Sequence, residues 1–288
     1  MTGMGPSVES IVARLSFPRG EPGGVVTAGG TESTLLGLLL AMRDAAGMPV
    51  QVVTSRGHRP AVGRVINQLG LATPVVLDSF DTLPEVLGGI ATATAVVATV
   101  GTSDTGAIDP LLAVAKVCRL RGTWMHVDAA EAGAAVFSDR LRPLLAGLEM
   151  ADSVAMEFPV LDAGALAVRS AESLTHVRPP AHPDISAEFR RELLAGELED
   201  RCDLAADVAA EISARPRLRL LQPPVLSTVV FRPALAGDDV VANLARRTGL
   251  EHVKAQGAGW LKLDVSDRAE HLRLLELCSL SAMSTHSE

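Results

Sequence analysis

The 288-residue chain contains no tyrosine, and only three of its 26 basic residues, Lys116, Lys254 and Lys262, are lysines. The first absence removes the phenol as a proton donor, and the second leaves few amines able to form a Schiff base. Cysteine is also scarce. Cys118, Cys202 and Cys278 are widely spaced and form neither a metal-ligand pattern nor a disulfide framework. No metal site is therefore expected, and the three read as buried structural thiols of a reducing compartment. No basic cluster interleaved with aromatics occurs, and a formal net charge of −8 argues against nucleic acid. Residues 1–16 hold no apolar run of signal-peptide length. The longest apolar stretch, residues 35–42, is far too short to span a bilayer. The expectation is a cytoplasmic protein that binds neither membrane nor nucleic acid.

What is present is ample apolar material, 48% of the chain, enough for one large domain or a large domain with a smaller one. Strand and helix patterns alternate through the first half. Strands are expected at 49–54, 74–77, 93–100, 123–127, 151–157 and 165–168, after a short approach at 24–27. Helices are expected at 33–46, 60–69, 83–87 and from Asp109-Pro110 to Arg119. Such alternation predicts an α/β domain with a mostly parallel sheet and helices on both faces. Pro179-Pro180 and His182-Pro183 mark a hinge. Beyond it lie a helical stretch at 185–214 punctuated near Gly196, strands at 217–221, 227–231 and 260–265, and helices at 238–248 and 268–282. This predicts a large domain over 1–178 and a small α+β domain over 179–288.

Four constellations carry candidate chemistry. In Thr27-Ala28-Gly29-Gly30-Thr31-Glu32-Ser33-Thr34, glycines precede a helix, whose first N–H groups and partial positive charge suit an anion. An ordinary strand-to-helix turn explains the same residues. His58 follows a strand and suits stacking on an aromatic ring, or a place in an exposed loop. Val97-Ala98-Thr99-Val100-Gly101-Thr102-Ser103, with the following Gly106-Ala107-Ile108-Asp109-Pro110, puts hydroxyl residues at a strand's carboxyl end, where open sheets bind ligands. A tight loop before a capped helix is the alternative. In Trp124-Met125-His126-Val127-Asp128-Ala129-Ala130, an aspartate ends a buried strand, which is costly unless it is paired. A protonated pyridine nitrogen would pair it; so would a role as a helix cap. His126 reads as a packed or surface histidine.

The order and spacing of these segments resemble the group II pyridoxal-phosphate (PLP) amino-acid decarboxylases, the family of the glutamate and aromatic amino-acid decarboxylases. The resemblance runs from about Gly24 to the C-terminus. Thr27–Thr34 is similar to the family's Thr-Ser-Gly-Gly-Thr-Glu-Ser-Asn, and residues 97–110 to its Val-Gly-Thr-Thr and Gly-Ala-Ile-Asp-Pro. Residues 124–130 are similar to Trp-Leu-His-Val-Asp-Ala-Ala. The resemblance implies the aspartate-aminotransferase (type I) fold of PLP-dependent transferases, with PLP as cofactor. It also implies the cofactor-binding residues: Gly30, Thr31 and Thr102, His58 stacked on the ring, Asp128 at the ring nitrogen and Ala130 packed under the ring. Family members are dimers, so a homodimer, or a heterodimer with a decarboxylase paralogue, is implied, with a small amino acid as ligand.

The pattern breaks after Ala151-Asp152-Ser153-Val154. Where the family has Asp-Pro-His-Lys-Trp, this chain has Glu157-Phe158-Pro159-Val160-Leu161, so Val160 occupies the position of the Schiff-base lysine. The family pattern resumes at Asp162-Ala163-Gly164-Ala165-Leu166. No lysine lies between Lys116 and Lys254. The family's mobile-loop tyrosine has no counterpart, and only about 23 residues stand where the family has a substantial N-terminal segment. These losses predict a degenerate member with no catalytic residue retained, acting as a non-catalytic partner of an active paralogue. Two alternatives stay open: a lyase that works without a covalent cofactor link or with groups from a partner chain, and a non-enzymatic binding protein.

Overall fold

The computed structural model describes residues 7–176, His182, Ile185, 189–265, Leu275 and Cys278. It divides into two compact units, one of residues 1–102 and 108–196, the other of 103–107 and 197–288.

The first unit opens with helix α1 (Val8–Ser16), where no element is expected from the sequence, and strand β1 (Gly23–Thr27). Then follow α2 (Gly30–Asp44), β2 (Val50–Ser55), α3 (Pro60–Gln68), β3 (Val75–Leu77), α4 (Leu83–Gly89), β4 (Ala93–Thr99), α5 (Leu111–Arg121) and β5 (Trp124–Ala129). The hairpin β6 (Ser153–Phe158) and β7 (Ala163–Val168) ends the series. The local chemistry accounts for several boundaries. Pro60 starts α3, where its missing N–H costs nothing. Gly122, at φ 62°, closes α5 in the left-handed conformation that glycine adopts freely. Asp109 does not cap α5. Its carboxylate instead accepts from the Thr99 N–H at 2.7 Å and the Ser55 hydroxyl at 3.1 Å, tying the end of β4 to the end of β2.

The seven strands form one sheet in the order β1-β7-β6-β5-β4-β2-β3. All run the same way except β7, which pairs antiparallel with both β1 and β6. On one face Ala95, Val97, Trp124 and Leu166 pack against Leu36, Leu40, Val62 and Ile66 of α2 and α3. The alternate residues Val96, Ala98, Val127 and Val154 point the other way and are equally buried. Both faces are therefore covered, as near-continuous apolar strands require. This is the expected α/β sheet.

The second unit contains most of α6 (Arg191–Ser213), β8 (Leu218–Leu220), β9 (Thr228–Pro233), α7 (Asp238–Thr248), β10 (Glu251–Ala255) and β11 (Ala258–Asp264). Its sheet is antiparallel, ordered β10-β11-β9-β8. Helix α6 continues through Gly196, where the sequence suggests a break. Strand β10 is absent from the expectations because Glu251, His252 and Lys254 are exposed and only Val253 is buried. A two-residue turn at Gln256 (φ 50°) and Gly257 (φ 74°) joins it to β11, a geometry that favours a β-hairpin. The hinge at Pro179-Pro180 and most of the helix expected over 268–282 lie outside the described residues. Leu275 and Cys278 of that helix are helical and buried.

Candidate functional site

The carboxyl ends of β1, β2, β4, β5 and β6 lie along one edge of the sheet, the edge where open α/β sheets place their ligands. Every candidate residue from the sequence is at the end of one of these strands or in the segment that follows it.

At β1, the chain turns sharply into α2. Gly29 is the residue before the helix and has φ 155°, a region open to glycine. Ser33 Oγ and Thr27 Oγ1 are hydrogen-bonded at 2.7 Å, one donating to the other, and the hydroxyl left with its proton free donates to the Gly29 carbonyl, which lies 3.1 and 3.2 Å from them. Glu32 reaches back to accept from the Ala28 N–H at 2.6 Å, a carboxylate satisfying the open helix start. Thr31 is exposed in the first turn. Gly30 is buried, and a Cβ added to it would stand 2.4 Å from the Ala130 Cβ. The first turn of α2 and the end of β5 therefore touch through a contact that only glycine permits. The Gly30 N–H donates to Glu157 Oε2 at the end of β6, at 3.2 Å.

Asp128 is next to this contact on β5, and only 1% of it is exposed. Its Oδ1 accepts from the Ala130 N–H at 3.1 Å, while its Oδ2 is buried with no hydrogen-bond partner. Arg59 Nε is 4.0 Å from Oδ2, and its Nη1 donates to Glu131 at 2.8 Å. Burial pushes the Asp128 carboxyl above the ordinary aspartate range, against the opposing pull of Arg59 and the Ala130 N–H, and Glu157 and Glu131 push it further up. The residue thus offers an acceptor at a cost that a donor, above all a cationic one, would offset.

His58 is half-buried after β2, its Nδ1 2.8 Å from the Ser55 carbonyl. Thr102 is buried three residues beyond β4. Val160 is 57% exposed in the short 3₁₀ turn Pro159–Leu161 that joins β6 to β7. His126 is fully buried beside Gly37, with Nδ1 2.8 Å from Ser153 Oγ, and burial lowers its pKa to about 3. It is a packed, neutral histidine. Cys118 and Cys278 are buried thiols, with burial pushing them up to about 12 and about 11, while Cys202 is only half-buried.

Sequence reasoning missed Arg59, Glu131 and Glu157. Arg59 and Glu131 each adjoin a recognised motif, which is the one signal they carry. Glu157 lies in the segment aligned with the family's lysine region, but nothing local points to its partner Gly30, 127 residues away. Among the described residues, no group of three or more His, Cys, Asp or Glu is placed to hold a metal ion, and no helix is long and apolar enough to cross a membrane.

The conserved domain of the pyridoxal-dependent decarboxylases matches residues 89–179. An L-2,4-diaminobutyrate decarboxylase of Acinetobacter baumannii is 30% identical over 171 residues, 47% of this chain and 34% of that protein. The human cysteine sulfinic acid decarboxylase is 53% identical over 58 residues, 20% of this chain and 12% of its own. The chain spans about a third or less of the curated relatives it matches. Among solved structures, the glutamate decarboxylase domain of a Vibrio parahaemolyticus diaminobutyrate-pyruvate transaminase and L-2,4-diaminobutyrate decarboxylase superposes with a TM-score of 0.82 at 23% identity, covering 96% of this chain and 72% of that one. The Oryza sativa TDC with PLP and tryptamine gives 0.80 at 21% identity, covering 96% and 74%. These likenesses confirm the type I fold. The domain match covers β4 to β7, and over that part the chain is similar to the pyridoxal-dependent amino-acid decarboxylases.

Proposed function

We propose that this chain is a degenerate decarboxylase. It holds a pyridoxal-type cofactor without a covalent link and does not decarboxylate amino acids on its own. One observation carries the reading: a fully buried aspartate oxygen, Asp128 Oδ2, has no hydrogen-bond partner. Buried polar atoms are nearly always satisfied, so an orphan at a sheet's ligand edge argues for a donor supplied from outside the chain. A protonated pyridine nitrogen is such a donor, and the bound ring supplies an electron sink to substrate carbon.

The residues at the ring end fit that group. Asp128 would hold the nitrogen, Ala130 would pack against the ring and His58 would stack on it. Gly30, Thr31 and Thr102 stand at the phosphate end, where a carboxylate of the chain itself is already in place. Covalent attachment lacks its usual residue. Val160, which the resemblance sets at the lysine position, is exposed, and no lysine lies between Lys116 and Lys254. A non-catalytic partner of an active paralogue, in a dimer, is the role that follows.

The test is turnover. The purified chain loaded with PLP releases no carbon dioxide or amine from any of the common amino acids. Turnover that disappears in Asp128→Ala would overturn the reading. Addition of PLP to Val160→Lys, but not to the parent, gives a Schiff-base absorbance band.

A further inference from the structure

The start of α2 holds two N–H groups already served by carboxylates of the chain, Ala28 by Glu32 at 2.6 Å and Gly30 by Glu157 at 3.2 Å. Glu32 is local and its contact resembles a capping box. Glu157 is not local, and β6 delivers it across the sheet edge into the turn. A Cβ on Gly30 would stand 2.9 Å from Glu157 Oε2, and one on Gly29 3.8 Å from the same carboxyl group, so the carboxylate lies against both glycines of the cradle. Its backbone is fixed there. Gly164, paired with Glu157 in the hairpin, approaches the Gly29 backbone so closely that a Cβ would meet it at 2.8 Å.

The charges around the turn point the same way. Asp128, Glu131 and Glu157 crowd this edge, with Arg59 as the cation that reaches Asp128 and Glu131. A phosphate would add a charge of about −1.5 to −2 beside Glu157 and would have to displace its oxygen from Gly30. A protonated ring without a phosphate meets no such conflict: its N–H finds Asp128 Oδ2, the buried acceptor that lacks a hydrogen-bond partner. We propose that Glu157 stands in for the cofactor phosphate, so that this site selects pyridine-type amines that carry no phosphate over their phosphorylated forms. The inference rests on the ring-binding reading above, and it assigns Glu157 as the residue that sets ligand class.

The probes are pyridoxamine and pyridoxamine 5′-phosphate, which differ only in the phosphate and carry no aldehyde to react with lysines. Titration calorimetry of the full chain is expected to give pyridoxamine an affinity at least equal to that of its phosphate ester, with no competition from inorganic phosphate. Glu157→Gln keeps an amide oxygen to accept from Gly30 but removes the charge. It should strengthen binding of the ester about tenfold or more and leave pyridoxamine within about twofold, while Glu157→Ala should strengthen the ester in the same direction. If the ester binds the parent tenfold tighter than pyridoxamine and neither variant changes that ratio, the inference fails and the ring-binding reading stands. If neither compound binds the parent, both fail.

Discussion

Two neighbouring strands end at the same edge and resemble the decarboxylase pattern to different degrees. β5 ends in Asp128-Ala129, followed by Ala130; these residues match the pattern, are buried, and make a contact with Gly30 that admits no side chain. β6 ends in Glu157-Phe158-Pro159-Val160, which keeps none of the residues of the lysine segment. Yet β6 is not a damaged strand. It pairs with β5 on one side and with all six residues of β7 on the other. Phe158 is fully buried and meets Phe137 and Phe189 at ring centroid distances of 6.2 and 5.5 Å. Strand pairing at the end of β6 is complete even where its residues depart from the decarboxylase pattern. The buried face of the hairpin stabilises the fold, whereas an exposed position such as Val160 contributes little to stability.

The sharpest way to break the comparison is at Asp128. Asp128→Asn should weaken ring binding about 100-fold, on the order of 3 kcal/mol for a charge-assisted hydrogen bond, read by calorimetry with pyridoxamine. The same change should stabilise the ligand-free chain by about 1–3 kcal/mol. The sign follows from the raised carboxyl: its contribution is fully present below the unfolded pKa of about 3.9 and is lost as pH rises through the folded value. The burial cost of the carboxylate grows as pH rises, and asparagine removes it. A variant less stable than the parent at pH 7 would show that Asp128 is satisfied within the chain.

The second test asks whether burial on β5 penalises any ionised group. His126 is two residues back on the same face and is held neutral, its pKa lowered to about 3. A depressed histidine contributes stability that is present above the unfolded value of about 6.5 and is lost as pH falls towards 3. Chemical denaturation should therefore show stability falling by about 1.4 kcal/mol per pH unit below pH 6.5, a slope that His126→Gln removes.

The third test sets the two strand ends side by side. Gly30→Ala puts a methyl group 2.4 Å from the Ala130 Cβ and should cost about 1–3 kcal/mol of stability. Val160→Ala, at an exposed turn, should change it by no more than about 0.5 kcal/mol. Equal effects would erase the distinction between the two ends. The smallest effect is expected at Arg59. Arg59→Gln removes the cation 4.0 Å from Asp128, and because that contact is long, ring binding should change only about threefold.

Much of this was legible in the sequence for identifiable reasons. β2, β4 and β5 announce themselves as short β-branched or apolar runs bounded by turns, because both faces of the sheet are buried. Asp128 stood out because an aspartate at the end of such a run demands a partner. β10 did not, since three of its five residues face solvent and give the strand no apolar signature. Glu157 was unreadable for a different reason. Its meaning depends on Gly30, and no local pattern links residues brought together by sheet order alone. Asp109 was legible as a loop residue but not as the clamp between β2 and β4, for the same reason.

The central claim is that the ring site persists while the covalent chemistry is gone. Borohydride reduction of the chain loaded with pyridoxal, which carries the ring and aldehyde without the phosphate, followed by dialysis under denaturing conditions and peptide mapping, tests it most directly. The account predicts saturable binding before reduction and complete loss of the cofactor after denaturation, with no modified peptide. Recovery of a reduced adduct on Lys116, Lys254 or Lys262 would contradict it.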